Sequence, residues 1–284
     1  MDSRAFRRFR RNKGALAGLV LVVAVTVLGL VGPWLAPHDP VEQFPGALLL
    51  DDGLPAGPGV EPGHWLGGDI LARDELSRLL SGARVSMWVA YLATALAVLI
   101  GVTLGLVSGY VGGRVDTLLM RLVDVVLSMP FLLIAIVMQR VWDAPGIWTI
   151  CVVLGVLSWT TLARVTRAKT METRELDYIQ AARALGLGHL QILARHVLPN
   201  VLGPIIAIAT ILVARMIIAE SALSFLGLGV RPPTASWGSM LNDSQSLLAG
   251  VPRLTVYPAV LISMAVFGFN LFGEGLRDAF DPKD

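Results

Sequence analysis

Six apolar runs separated by short polar stretches dominate the chain, at residues 14–35, 85–111, 118–138, 147–163, 201–219 and 254–271. As a helix the first would rise roughly 33 Å, enough to cross a hydrocarbon core of about 30 Å. It is too long for the apolar core of a cleaved signal, and it ends in Leu35-Ala36-Pro37 without a small-x-small cleavage site, so it reads as a retained first span. The pattern predicts an all-α bundle of about six membrane-spanning helices. Between the first two runs lie Pro37, Pro40, Pro45, Pro55, Pro58 and Pro62, which predict a loop followed by a short helix at 74–80. Apolar character also continues from Ser221 to Val230, too short to cross again, and predicts a helix skirting or re-entering the outer leaflet.

Composition supports this reading: of 284 residues, 55% are hydrophobic and 15% charged, with a mean hydropathy of +0.68. Soluble domains carry about a quarter charged residues. The net charge of +2 gives no case for a nucleic-acid partner, so the information lies in where the charges sit. Arg4, Arg7, Arg8, Arg10, Arg11 and Lys13 precede the first span and place a basic tail, residues 1–13, in the cytoplasm. Six spans then return the C-terminus to the same side. Charges not used in that assignment agree with it. Segment 38–84, expected outside, carries Asp39, Glu42, Asp51, Asp52, Glu61, Asp69, Asp74 and Glu75 against Arg73, Arg78 and Arg84. Segment 164–199, expected inside, carries Arg164, Arg167, Lys169, Arg174, Arg183 and Arg195 against Glu172, Glu175 and Asp177. Residues 231–253 form a further external segment, and 14–284 read as a single transmembrane domain.

Few residues in the spans could carry chemistry. Arg121 and Asp124, three apart, share a helix face and can pair near the border. Arg215 and Glu220 point in different directions, and a mid-membrane charge costs about 2.5–3.5 kcal/mol. Each faces protein or a wet pathway, or snorkels to the interface. Cys151, the single cysteine, excludes an intrachain disulfide framework and a cysteine-rich metal site. The lysines, Lys13, Lys169 and Lys283, follow Asn12, Ala168 and Pro282 rather than glycine, so no phosphate-cradling loop is present. His38, His64, His189 and His196 fall in loops or at borders, and neither HExxH nor GxSxG occurs. No metal centre or enzymatic activity is expected of this chain; a pore, a carrier or a subunit coupled to a motor remains.

The stretch from Glu175 to Pro199 reads as two short helices hinged at Gly186-Leu187-Gly188, with Pro199 and Asn200 breaking the chain before the next span. Gln180-Ala181-Ala182, then Gly186, then Leu198-Pro199 resembles the EAA loop of ATP-binding-cassette importer permeases. The leading Glu of that motif is Gln180 here, so a charge contact made by that Glu does not transfer. His64-Trp-Leu-Gly-Gly-Asp69, Ala72-Arg-Asp-Glu-Leu-Ser-Arg78 and Gly82-Ala-Arg-Val-Ser86 resemble the external signature of the second, C-type permease of the peptide/nickel group, where Gly68 usually reads Thr and Ala72 usually reads Gly. Ser224-Phe-Leu-Gly-Leu-Gly229, Pro232 to Gly238 and the ending from Gly273 to Pro282 are similar to the same subgroup.

The resemblance implies the importer permease fold in a bacterial inner membrane and half of a pathway for di- or oligopeptides, nickel chelates or glutathione-like solutes. It implies four kinds of contact: a homologous second permease, two cassette ATPases that hold the ATP and magnesium, an external solute-binding protein, and the lipid bilayer. The chain itself is expected to bind no cofactor. Tyr178, Gln180, Ala181, Ala182, Leu185, Gly186 and Leu187 are then the expected ATPase contact. The rival reading is a self-contained secondary carrier or channel, with Arg215 and Glu220 as ion-coupling residues; six spans without a visible repeat weigh against it.

Overall fold

The computed structural model describes residues 3–142 and 146–280. The Asp281-Pro282 ending, Lys283, and Met1 and Asp2 of the basic tail lie outside the described residues. Regular structure among the described residues is helical: α1 Ser3–Arg11, α2 Lys13–Leu35, α3 Pro45–Leu48, α4 Glu75–Val111, α5 Gly113–Ser128, α6 Phe131–Val141, α7 Ile147–Ser158, α8 Thr160–Arg174, α9 Asp177–Ala184, α10 His189–Ile192, α11 Leu198–Phe225, α12 Trp237–Ser244 and α13 Arg253–Phe280.

Three of these, α2, α4 and α13, are long and apolar enough to cross a membrane alone, as is the continuous helical run His189–Phe225. The other two crossings are broken: α5 and α6 meet at 87°, α7 and α8 at 42°. Six spans result when each bent pair counts as one. The sharper break sits at Pro130. The residue before a proline is pushed out of the helical region, and Met129 is extended, with φ −87° and ψ 135°.

Three local expectations are corrected. The short helix at 74–80 and the second span are one helix of 37 residues, α4, because Asp74 caps it through Ser77 N (2.8 Å) and Gly82 alone is too weak a breaker. The apolar stretch after Ala219 forms no separate helix. Helix α11 simply runs on to Phe225 and is closed by Gly227 at φ +74°, with Leu228 N donating to Leu223 O (2.8 Å) and Gly227 N to Ser224 O (3.0 Å). Nor does Pro199 break the chain. It sits in the first turn of α11, where its missing N–H costs little, and a π turn at Leu193–Val197 carries the helix through from α10.

Packing is set by small residues. Gly101, Gly105 and Gly109 recur every fourth position along α4, and a Cβ on them would lie 2.6 Å from the carbonyls of Trp159, Ala163 and Arg167 respectively. Helix α8 therefore lies directly on the backbone of α4, the close approach that small residues permit between helices in lipid. Two ends emerge. The start of α11 meets the end of α13, where Gly203 abuts Phe280, and α1 packs there through Phe9 against Phe272 (5.8 Å), so α1, the end of α13, α9 and α10 share one end.

At the opposite end, the loop after α2 folds over the start of α4. Arg253, at the first turn of α13, donates to the carbonyls of Pro55 (3.0 Å), Ala56 (2.7 Å), Leu66 (3.2 Å) and Gly68 (3.3 Å). Asp69 pairs with Arg73 (2.6 Å) and Arg78 (3.1 Å), and Arg78 continues to Asp243 of α12 (3.1 Å). Burial lifts the Asp243 carboxyl above the usual carboxylate range, with Arg78 and Arg73 pulling it back. The signature between His64 and Ser86 is thus a lock between loop and helices. Its two departures have local reasons. A Cβ on Gly68 would come 2.7 Å from Leu48 Cβ and 2.8 Å from Leu48 O. Ala72 holds φ +58°, the one non-glycine residue at positive φ among those described, but its methyl is buried beside Leu48 and Ala56.

Candidate coupling loop and solute pathway

Helix α8 descends from the bundle and ends where Arg174 Nη1 donates to Gly109 O at the foot of α4 (2.9 Å). After this turn, α9 buries Ile179 and Ala182, and α10 buries Ile192. Between them Gly186 takes φ +80°, with Leu187 N donating to Ala182 O (3.2 Å) and Gly186 N to Arg183 O (2.9 Å). This left-handed cap is the hinge expected from Gly186-Leu187-Gly188.

Tyr110, at the foot of α4, clamps the hinge from within: its hydroxyl meets His189 Nδ1 at 3.1 Å and the Arg183 guanidinium lies 5.1 Å over its ring. Asn200 Nδ2 ties the far side to Tyr178 Oη (3.0 Å) and His196 O (2.6 Å). The pair of short helices is therefore a rigid projection of the bundle.

Its outer face is apolar. Leu185 is 81% exposed and Leu190 80%, with Tyr178, Gln180, Ala181 and Gly186 exposed beside them. Leu187 is half-buried and Ala182 faces inward, so the seven expected residues are brought together at one projection with Ala182 on its inner side. Gln180 stays local, Nε2 donating to Glu175 Oε2 at 3.4 Å. Leu190 escaped the sequence reading; a lone leucine between His189 and Gln191 at the hinge was its only signal.

Arg215 and Glu220 separate. Glu220 is fully buried, accepting from Ser86 Oγ (3.1 Å) on α4 and Ser224 Oγ (2.7 Å) on α11. Ser86 Oγ in turn accepts from Trp237 N (3.1 Å), and Trp237 Nε1 donates to Leu79 O (3.2 Å). Both carboxyl oxygens are thus engaged, and the group is sealed among α4, α11 and α12.

Arg215 is exposed on α11, five residues away, and among the described residues it makes no ion pair or hydrogen bond. It lines two cavities. One, about 480 Å³, opens where the two bent crossings break, between Met129, Phe131, Ser158 and Thr160. The other, about 530 Å³, lies toward the end bearing the short helices, between Lys169, Pro204 and Arg277. Thr161, Leu212 and Arg215 line both, so the two form one cleft along α8 and α11.

The expected Arg121–Asp124 pair does not form. Asp124 pairs with Arg164 of α8 (2.6 Å), and Asp116 takes Arg167 through Nη2 (2.6 Å), because α5 lies on α8 and offers a bidentate partner across the turn. His38, His64 and Asp74 are the one group of three metal-ligand types found close together among the described residues. His64 Nδ1 is 2.9 Å from Asp74 Oδ1, which already caps α4 through its other oxygen. The two imidazoles stack at 4.1 Å and 18°, and His38 Nδ1 lies 3.8 Å from the same Asp74 oxygen.

Comparison with known proteins agrees with this architecture. The family described as "Binding-protein-dependent transport system inner membrane component" matches residues 101–283, and the "N-terminal TM domain of oligopeptide transport permease C" matches residues 3–51. The chain is 40% identical over 280 residues to the dipeptide transport system permease protein DppC of Bacillus subtilis (strain 168), covering 98% of this chain and 85% of the relative. It is 40% identical over 278 residues to the glutathione transport system permease protein GsiD of Shigella flexneri serotype 5b (strain 8401), covering 98% and 89%. Among solved structures, an inward-facing MetNI methionine ABC transporter chain shares the fold with a TM-score of 0.58 at 16% identity, over 71% of this chain and 95% of that one.

Proposed function

The chain belongs to the binding-protein-dependent transport system inner membrane component family, as a C-type permease of the peptide ABC importers, and on that premise we propose how it works. It is a multi-pass inner-membrane subunit that forms half of a pathway for di- or oligopeptides or a related small solute such as glutathione, the cargoes named for its relatives. A homologous second permease completes the pathway. Two cassette ATPases bind ATP and magnesium and seat against the projection made by α9 and α10. An external solute-binding protein delivers cargo at the opposite end. The basic tail, residues 1–13, and segment 164–199 then face the cytoplasm, as does the C-terminus. Segments 38–84 and 231–253 face outward around one transmembrane domain, 14–284. Chemistry stays in the partners, and this subunit is non-catalytic.

The observation that carries the coupling is the exposed apolar face of the projection together with its rigid attachment through Tyr110, Arg174 and Asn200. A knob of this kind transmits displacement. ATPase closure moves it as a body, and the bent crossings α5–α6 and α7–α8 supply hinges at which the cleft opens. The sealed state of Glu220 removes one of the two residues that a secondary carrier would use. Gly186→Glu tests the assignment: among the described residues no neighbour beyond the adjoining chain comes within 4 Å of a Cβ there, so the bulk and charge fall on the partner's socket, and Gly186→Asn, which tolerates the left-handed φ of +80°, controls for strain in the turn. Membrane insertion is expected to be normal, while ATPase co-purification and ATP-driven uptake fall. Normal uptake would overturn the coupling role.

A further inference from the structure

The cleft has a charge pattern that import of a peptide does not by itself call for. Its two cavities meet at Arg215, Thr161 and Leu212, and the cations Arg215, Lys169 and Arg277 line them with no aspartate or glutamate on either wall among the described residues. Lys169 is partly neutralised by Glu172, 2.8 Å away. Arg215 and Arg277 make no ion pair or hydrogen bond among the described residues. Arg215 lies ten residues from the end of α11 at Phe225 and seventeen from its start at Leu198, which puts the guanidinium near mid-span, where an unpaired cation is expensive. Most of the wall around it is apolar: Val126, Phe131, Leu157, Met216 and Ala219. A planar fork of donors in such surroundings suits a carboxylate, which it binds through two parallel hydrogen bonds.

We propose that Arg215 is the contact for the free carboxylate of the solute in transit, so that the pathway itself selects peptide-like solutes ending in an anion. This rests on the import reading above and adds a recognition step inside the membrane. A solute arriving from the outer end meets Arg215 at the junction of the cavities. It then passes toward Lys169 and Arg277 in the lower cavity, a descending row of cations that keeps an anionic end in register. Thr161, shared by both cavities, offers a hydroxyl at the same level.

The test uses the assembled importer, with both permeases, ATPases and binding protein, in proteoliposomes. ATP-driven uptake of a dipeptide is compared with uptake of its C-terminal amide, for wild type, Arg215→Gln and Arg215→Lys. Selection by the binding protein is common to all three and cancels when the acid-to-amide ratios are compared. The ratio is expected to fall about tenfold or more in Arg215→Gln and by less in Arg215→Lys, which keeps the charge but loses the two-pronged geometry. A second readout leaves Arg215 in place: a benzophenone amino acid at Thr161 should label the free-acid peptide and not the amide. Wild-type uptake with an unchanged ratio in Arg215→Gln overturns the carboxylate contact. So does an equal loss for acid and amide, which is the mark of a lipid phosphate or a neighbouring subunit as the partner, and so does equal labelling of the two peptides. No ATP-driven uptake of either solute by wild type would instead overturn the import reading and this step with it.

Discussion

Truncating the two exposed leucines of the projection isolates docking from folding. Leu185 is 81% exposed and Leu190 80%, so in the free chain neither contributes much to stability, and surface changes of this kind stay within about 0.5 kcal/mol. If an ATPase socket buries them, Leu→Ala at either position removes three buried carbons, at about 0.8 kcal/mol each, or roughly 2.4 kcal/mol. That corresponds to about 50-fold in dissociation constant for full burial. The double variant should lose more, though less than the sum if the two leucines share one pocket across the Gly186 hinge. Titrating the permease pair in nanodiscs with its ATPase gives the constant, and a thermal melt of the same preparation gives the stability. The expected result is a 10- to 50-fold weaker complex per substitution with an unchanged melt. Affinity within threefold of wild type in the double variant would show that this face is not what the motor grips.

Two further outcomes follow from the other end of the bundle. Glu220→Leu leaves the Ser86 and Ser224 hydroxyls without their buried acceptor, so stability is expected to drop by about 2 kcal/mol or more, with Glu220→Gln milder; a normal melt combined with lost uptake would instead give Glu220 a pathway role. Gly68→Thr, which restores the residue usual in related signatures, is expected to destabilise by about 1–3 kcal/mol because its Cβ meets Leu48 at 2.7 Å, and a raised melting temperature would contradict that packing.

The spans and the hinge were legible in the sequence because both are local. Apolar length sets a crossing, and Gly186 sets a turn. Pro130 was visible too, but hydropathy averages over one residue and hides an 87° bend. What escaped depends on distant neighbours. Asp124 lies nearest Arg121 along the chain, yet Arg164, 40 residues on, is its partner. Glu220 and Arg215 look alike in the sequence as charges within a span, and only the positions of Ser86, 134 residues from Glu220, and of the bends beside Arg215 put one in the packed interior and the other in a cleft. The spacing of Gly101, Gly105 and Gly109 went unread, because a row of glycines does not say which helix fills it.

Solute flux into proteoliposomes, measured for the whole complex and for this chain alone, reaches the central claim most directly. With both permeases, ATPases and binding protein present, uptake should depend on ATP and vanish when the projection is blunted by Gly186→Glu. The chain by itself should carry nothing under a proton or sodium gradient. Gradient-driven flux through the lone chain, with no ATPase in the membrane, would contradict the account.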